Sequence, residues 1–286
     1  MGYQNETSIV SAIASVVDQV SPEPFEVLVV TSGGDRSGDA VRAAFPDLKL
    51  VESAGRLLPG GARNAGVSAA TGDIVAFLAA DCIAEPGWVA ARLAAHRAGH
   101  RVVAGAVTAA PTYRPSAWAF HFDLFGARLP GRHAGIVAHP DPAAHGLSFD
   151  RGVLDALGPF DATLRVGEDT DAGRRLADLG VPVWFEPRVR TSHPSPRNGW
   201  TMVADRYRRG TRFAQGSGDL RGVTPARALL AYPVLWAQHM ARTLVSGWSG
   251  SRQQRIRLVI SLPWVAAGRA ASLAGWYRER LRVGVR

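Results

Sequence analysis

The chain has 286 residues, 47% of them hydrophobic, with 33 Lys and Arg against 24 Asp and Glu and a formal charge of +9. That length and apolar content exclude a short disulfide-stapled scaffold and a disordered chain, and leave one large core or one domain with an appendage. A single cysteine, Cys82, excludes an internal disulfide and suits a reducing compartment; Lys49 is the only lysine, so the positive charge is nearly all guanidinium and fits an anionic partner such as nucleotide phosphates, anionic lipid or nucleic acid.

The first residues carry neither the basic segment nor the apolar run of a secretory signal. Glu6 to Val20 sets Ile9, Ile13, Val16, Val17 and Val20 on one stripe and predicts an amphipathic helix. Phe25 to Val30 reads as an apolar strand leading into the loop Thr31-Ser-Gly-Gly-Asp-Arg-Ser-Gly38. Its glycines let backbone approach a ligand, yet the spacing is neither a dinucleotide fingerprint nor a P-loop. A helix from about Gly38 to Phe45 and a strand from Leu48 to Glu52 follow. The loop from Gly55 to Gly66 then turns into a helix carrying Arg63 and Asn64 in its first turn, either solvated beside a cap or placed to contact an anion. Ile74 to Leu78 is wholly apolar and predicts a strand buried on both faces. It leads to Asp81 and a Pro-Gly break, the place just past a strand's carboxyl end where open α/β sheets bind ligands. A lone acid capping a turn is the plainer alternative.

Pro86 to Ala98 predicts a helix and Arg101 to Ala109 a strand, so this half of the chain alternates strand and helix and implies a mostly parallel sheet. Trp118, Phe120, Phe122, Leu124 and Phe125 line a helix or a mobile flap, while Gly131, Gly135, Pro140 and Pro142 argue for loops around it. His145 to Asp150 reads as a strand and Arg151 to Leu157 as a short helix. Gly167 to Gly180 opens a helix with acids in its first turn. Capping alone explains them, but Asp169 lies one helical step from Ala172 and Gly173 and is expected to point inward, as a general base does. Val183 to Glu186 gives another strand, and His193 falls in the loop Val189 to Gly199, where a lone histidine is usually a surface residue.

A basic helix from Trp200 to Arg212 precedes two apolar segments, Ala228 to Ala241 and Leu258 to Gly268, both short of the about 20 apolar residues that span a bilayer. Trp236, Trp248, Trp264, Trp276 and Tyr277, interleaved with arginines, read as helices lying in a membrane interface; a pair of core helices is the alternative. Arginines broken up by long apolar faces do not form a phosphate-tracking groove, so no nucleic-acid partner is expected.

Four pieces, in this order, resemble the family 2 glycosyltransferases of the GT-A fold over roughly residues 3 to 215. They are Tyr3-Gln-Asn-Glu6; Gly61-Ala-Arg-Asn-Ala-Gly66 with Thr71-Gly-Asp-Ile-Val-Ala-Phe-Leu78; Gly146-Leu-Ser-Phe149 with Gly158-Pro-Phe-Asp161; and Gly167-Glu-Asp-Thr-Asp171. The resemblance implies an α/β fold, a Rossmann-like mixed sheet flanked by helices, in residues 1–215, with amphipathic, membrane-peripheral helices in 216–286. It implies transfer of a sugar, with inversion, from a nucleotide-sugar donor to a hydroxyl of a glycan or lipid-linked acceptor. Tyr3, Glu6, Ser32, Arg63, Asn64 and Asp81 then contact the nucleotide sugar, and Gly146, Leu147 and Ser148 face the acceptor. Asp169, beside Glu168, is the base. Asp81 and His193 hold a divalent metal, Mg²⁺ or Mn²⁺, and the expected location is cytoplasmic, peripheral to the inner face of the cell membrane.

The chain departs from the family pattern in three places. Ala79 stands for the first acid of the DxD motif, Thr31 and Ser32 stand where paired acids read the base, and the family's strand ahead of Tyr3 has no counterpart in the sequence. A catalytically silent, GT-A-like nucleotide-binding or scaffold protein is therefore the competing expectation.

Overall fold

The computed structural model describes residues 6–34, 36–137, 146–196, 198–216, 225–248 and 250–284. They fall into two compact units: Met1–Thr108 with His133–Pro194, and Ala109–Arg132 with Ser195–Arg286.

The first unit is α/β. It begins with α1 (Ile9–Val17), whose Ile9, Ala12 and Ile13 are buried, then β1 (Leu28–Ser32), α2 (Ser37–Ala44) and β2 (Lys49–Ser53). β1 and β2 pair in parallel, Leu28 opposite Lys49, as a sheet of their own. After α3 (Pro59–Ala69) come β3 (Ile74–Ala76), β4 (Ile83–Ala84), α4 (Trp88–Arg97) and β5 (Val102–Ala109). The chain re-enters the unit with β6 (Gly135–Val137), β7 (Leu147–Asp150), α6 (Arg151–Leu157), α7 (Glu168–Asp178) and β8 (Val183–His193) after α5 (Pro115–Phe125), which belongs to the second unit. The larger sheet runs β3-β7-β5-β8-β4, with β6 on β8.

Its core is apolar strand faces against helices. Val75, Phe77, Val102, Ala104, Leu147, Phe149 and Phe185 pack on Val153, Leu154, Leu157, Ala172 and Leu176, burial that drives the assembly at about 25 cal/mol per Å². Gly105 in β5 allows close approach of β8, since a Cβ there would meet the Val189 carbonyl at 2.7 Å.

Three sequence expectations change here. The strand after Asp73 is shorter, Ile74–Ala76, and is not buried on both faces, since Ala76 is exposed; among the described residues it pairs with β7. The sheet is mixed, not mostly parallel: β7 pairs antiparallel with both β3 and β5, and β8 antiparallel with β4 and β6. The strand expected at Val183–Glu186 continues through Pro187 to His193, so His193 ends a strand and does not sit in a loop. The signal for that extension is present in the alternation of inward Val189, Thr191 and His193 with outward Arg188 and Arg190.

The second unit is helical. The aromatic stretch at 118–125 is the helix α5, opened by Pro115 and followed by a 3₁₀ turn at Gly126–Arg128. Three long helices join it: α8 (Gly199–Gly216), α9 (Pro225–Trp248) and α10 (Arg252–Gly284). The apolar segments read separately at 228–241 and 258–268 are interior parts of α9 and α10, each continuing past a proline, Pro233 and Pro263. α8 and α10 approach through glycines, Gly210 against the Ser272 backbone and Gly275 against the Tyr207 carbonyl, where a side chain has no room. At the centre, fully buried Asp123 of α5 meets Arg206 of α8, His239 of α9 at 2.6 Å and Arg269 of α10 at 2.6 Å. Burial opposes the charge, but the two guanidinium groups and the His239 bond prevail and hold the Asp123 carboxyl well below the usual carboxylate range.

Candidate active site

Two neighbourhoods of the first unit carry the chemistry. The first is at the β4–β8 end of the sheet. The chain turns at Ala79, with Cys82 N–H donating to the Ala79 carbonyl at 3.0 Å, and leaves the Asp81 carboxylate exposed. The antiparallel register sets Ile83 opposite Ser192 and Ala84 opposite Thr191, so one step further Cys82 faces His193. Trp88 Nε1 donates to Thr191 Oγ1 at 3.0 Å and fixes β8 from the other side. Ligand atoms of Asp81, Cys82 and His193 consequently lie within 4.8 Å of one another. His193 Nδ1 is 2.7 Å from the Pro194 carbonyl. A carbonyl only accepts, so Nδ1–H is the donor in that bond, and Nε2 is the nitrogen that could ligate an ion. Oxygen, imidazole and thiol together are a donor set that suits a divalent cation. Asp81 and His193 were named from the sequence; Cys82 was read there only for its redox meaning, and its place is set by a two-residue strand too short to show a periodicity.

The second neighbourhood is where α3 and α7 meet. Arg63 is 5% exposed, its guanidinium ion-paired with the equally buried Glu168 and lying 6.0 Å from the Phe77 ring centroid and 5.5 Å from that of Phe160. Asn64 clamps the Phe160 backbone in both directions, each bond 2.8 Å. Asp169 follows Glu168 in the first turn of α7, half-buried, its Oδ1 accepting the Thr170 N–H at 2.8 Å. It borders a small apolar pocket walled by Phe77, Leu147, Phe160, Ala172 and Gly173. A carboxylate at the mouth of such a pocket can accept a proton while its surroundings exclude water.

The other sequence-named residues are placed as follows. Ser32 is buried at the end of β1, accepting the Leu57 N–H at 3.1 Å. Glu6 stands half-exposed before α1, 4.0 Å from Arg36. Tyr3 lies outside the described residues. Leu147 and Ser148 are buried in the sheet, Leu147 walling the pocket that Asp169 borders: Ser148 Oγ accepts from Arg92 Nη1 at 2.9 Å and bonds His96 Nε2 at 2.8 Å, and Gly146 gives its carbonyl to Arg92. Burial, reinforced by the Arg92 charge, pushes His96 down to about 4, so its ring is neutral where Ser148 needs it. Asn64 and Arg63 likewise spend their bonds on the protein, one on the Phe160 backbone and the other on Glu168.

A mixed sheet flanked by helices is the architecture of the GT-A fold. Residues 3–157 match the family described as "Glycosyl transferase family 2", and the chain belongs to that family. It is 29% identical over 181 residues to the "Pre-mycofactocin glycosyltransferase" of Mycobacterium tuberculosis, in strains CDC 1551 / Oshkosh and ATCC 25618 / H37Rv. The match takes in 58% of this chain, and spans 37% of the length of those curated relatives. Among solved structures, the mannosyltransferase PcManGT from Pyrobaculum calidifontis, in complex with GDP-Man and Mn²⁺, aligns with a TM-score of 0.59 at 21% identity, over 98% of this chain and 85% of that one. S. aureus TarS 1-349 in complex with UDP-GlcNAc aligns at 0.51 and 14% identity, over 98% and 89%. At these identities the likeness shows the fold.

Proposed function

We propose that the chain transfers a sugar from a nucleoside diphosphate sugar to an acceptor hydroxyl with inversion, using a divalent metal, and that it works at a membrane surface. The observation that carries the reading is the meeting of Asp81 with His193, two residues far apart in sequence, with ligand atoms within 4.8 Å and His193 Nδ1 engaged by the Pro194 carbonyl. The nucleotide sugars named for PcManGT and TarS support a donor of the same kind, and the Mn²⁺ named for PcManGT supports a divalent ion. When bound, the ion supplies charge neutralisation for the departing diphosphate. Asp169 takes the proton of the acceptor hydroxyl as its oxygen attacks the anomeric carbon, and the bond from that carbon to the diphosphate breaks, releasing nucleoside diphosphate. Glu168 and Arg63 neutralise each other and hold the turn that presents Asp169. With Ala79, Thr31 and Ser32 in place of the family's acids, ribose and base are read by neutral groups, Ser32 and main chain among them.

The membrane part rests on the second unit. Its α10 is long and apolar enough to cross a bilayer by length and composition. Yet one side is occupied by α8, through Gly210, Gly268 and Gly275, and by the Arg269–Asp123 pair, which favours a helix lying at the surface. Its other side exposes Ile256, Val259 and Ile260 beside Arg252 and Arg255, an apolar stripe with a cationic margin. The acceptor in this reading is lipid-linked or polysaccharide.

The test is release of nucleoside diphosphate from a panel of nucleotide sugars with Mn²⁺ or Mg²⁺. Multiple turnovers with a donor support the reading; no turnover and no metal-dependent nucleotide binding would return the chain to the silent-scaffold alternative.

A further inference from the structure

The cluster at the β4–β8 end contains one group that a site for hard cations does not need. Cys82 is fully buried, its Sγ 3.6 Å from Asp81 Oδ1 and directed at it, with the His193 ligand atom in the same 4.8 Å group. A zinc ion with a sulfur at about 2.3 Å and a carboxylate oxygen at about 2.1 Å, at the tetrahedral angle, sets those two atoms about 3.6 Å apart. The observed separation is the edge of that tetrahedron. The backbone holds two of the three groups in place: Cys82 is locked by the Ala79 turn on one side and by the β4–β8 ladder on the other, while His193 is held by its Pro194 bond.

We infer that Cys82 is a third protein ligand of the metal, making Asp81, Cys82 and His193 a thiophilic site that takes Zn²⁺ or Co²⁺ in preference to Mg²⁺. The inference rests on the proposed metal role of Asp81 and His193 and adds the ligand that decides which ion fills it. Thiolate donors favour Zn²⁺ and Co²⁺ and are poor partners for Mg²⁺, which asks for six oxygens. Binding replaces the thiol proton with the ion, and the proton leaves to solvent; no electron transfer is involved.

Cys82 is the only cysteine in the chain, so any thiolate signal belongs to it. The experiment is Co²⁺ titration of the full, reduced, chelator-stripped protein, followed by absorbance and calorimetry. The expected result is a thiolate-to-cobalt charge-transfer band in the near ultraviolet that saturates at one ion per chain and is displaced by Zn²⁺ but not by equal Mg²⁺. Cys82→Ser and Cys82→Ala both lose the band and bind Co²⁺ at least about tenfold more weakly, with Mg²⁺ binding unchanged. In His193→Ala the band weakens or shifts. Co²⁺ binding with the visible cobalt bands but no thiolate band overturns Cys82 as a ligand, while metal-enhanced donor binding in the same protein would leave the Asp81–His193 reading standing. A thiolate band unaltered by His193→Ala overturns the shared site, since it would mark cobalt on the thiol alone.

Discussion

Arg63 and Glu168 are residues that the sequence singles out without showing that they pair. Their motifs single them out in the sequence, but nothing local says that two charged side chains from α3 and α7 will face each other away from water. A buried pair of this kind contributes through mutual dependence more than through net attraction. Glu168→Gln leaves the Arg63 charge uncompensated and is expected to cost about 3–5 kcal/mol in urea unfolding, whereas Arg63→Met with Glu168→Leu together should lose far less. Equal losses in the single and double variants would show that the pair does not act as a unit. Cys82 is the converse case: its identity was plain and its company was not, because the register that brings it to His193 is set by a strand of two residues.

At the scale of elements, the helices with an apolar stripe and the strands with apolar runs could be read directly, and α4, β5, α6 and α7 fall close to their expected limits. What could not be read was pairing. β8 reaches His193 with β4 paired beside it at Thr191 and Ser192, and β7 departs from the expected parallel order by lying antiparallel between β3 and β5. The α4–β7 junction yields a pH prediction. His96 reaches Ser148 from α4 and is pushed from 6.5 to about 4 by burial first and by Arg92 second. A depressed value means that the unfolded chain takes up the proton first, so stability is complete above about pH 6.5 and is lost as pH falls toward 4. Thermal melts between these limits should show the wild type losing more stability than His96→Gln; parallel curves would remove His96 as the cause.

For the whole molecule, the fold and the family motifs were visible in the order of four sequence pieces, while the assembly of α5 with α8, α9 and α10 was hidden. It depends on one buried carboxylate, Asp123, gathering Arg206, Arg269 and His239 from distant parts of the chain, and a single aspartate has no sequence signature. The same unit leaves Val245 74% exposed and Trp248 52% exposed in addition to the α10 stripe. The full chain should therefore float with anionic vesicles, less so at high salt, and Val259→Glu with Ile260→Glu should abolish flotation without unfolding the protein. Retention of flotation in that variant would place the membrane contact elsewhere.

The central claim is that Asp169 performs base catalysis of sugar transfer from a nucleotide-sugar donor. It is tested most directly by single-donor turnover, measured as nucleoside diphosphate release, for the wild type and Asp169→Asn. The account predicts a fall in kcat of about 10²–10⁴-fold with donor binding and melting temperature retained. Turnover in Asp169→Asn equal to the wild type would contradict it.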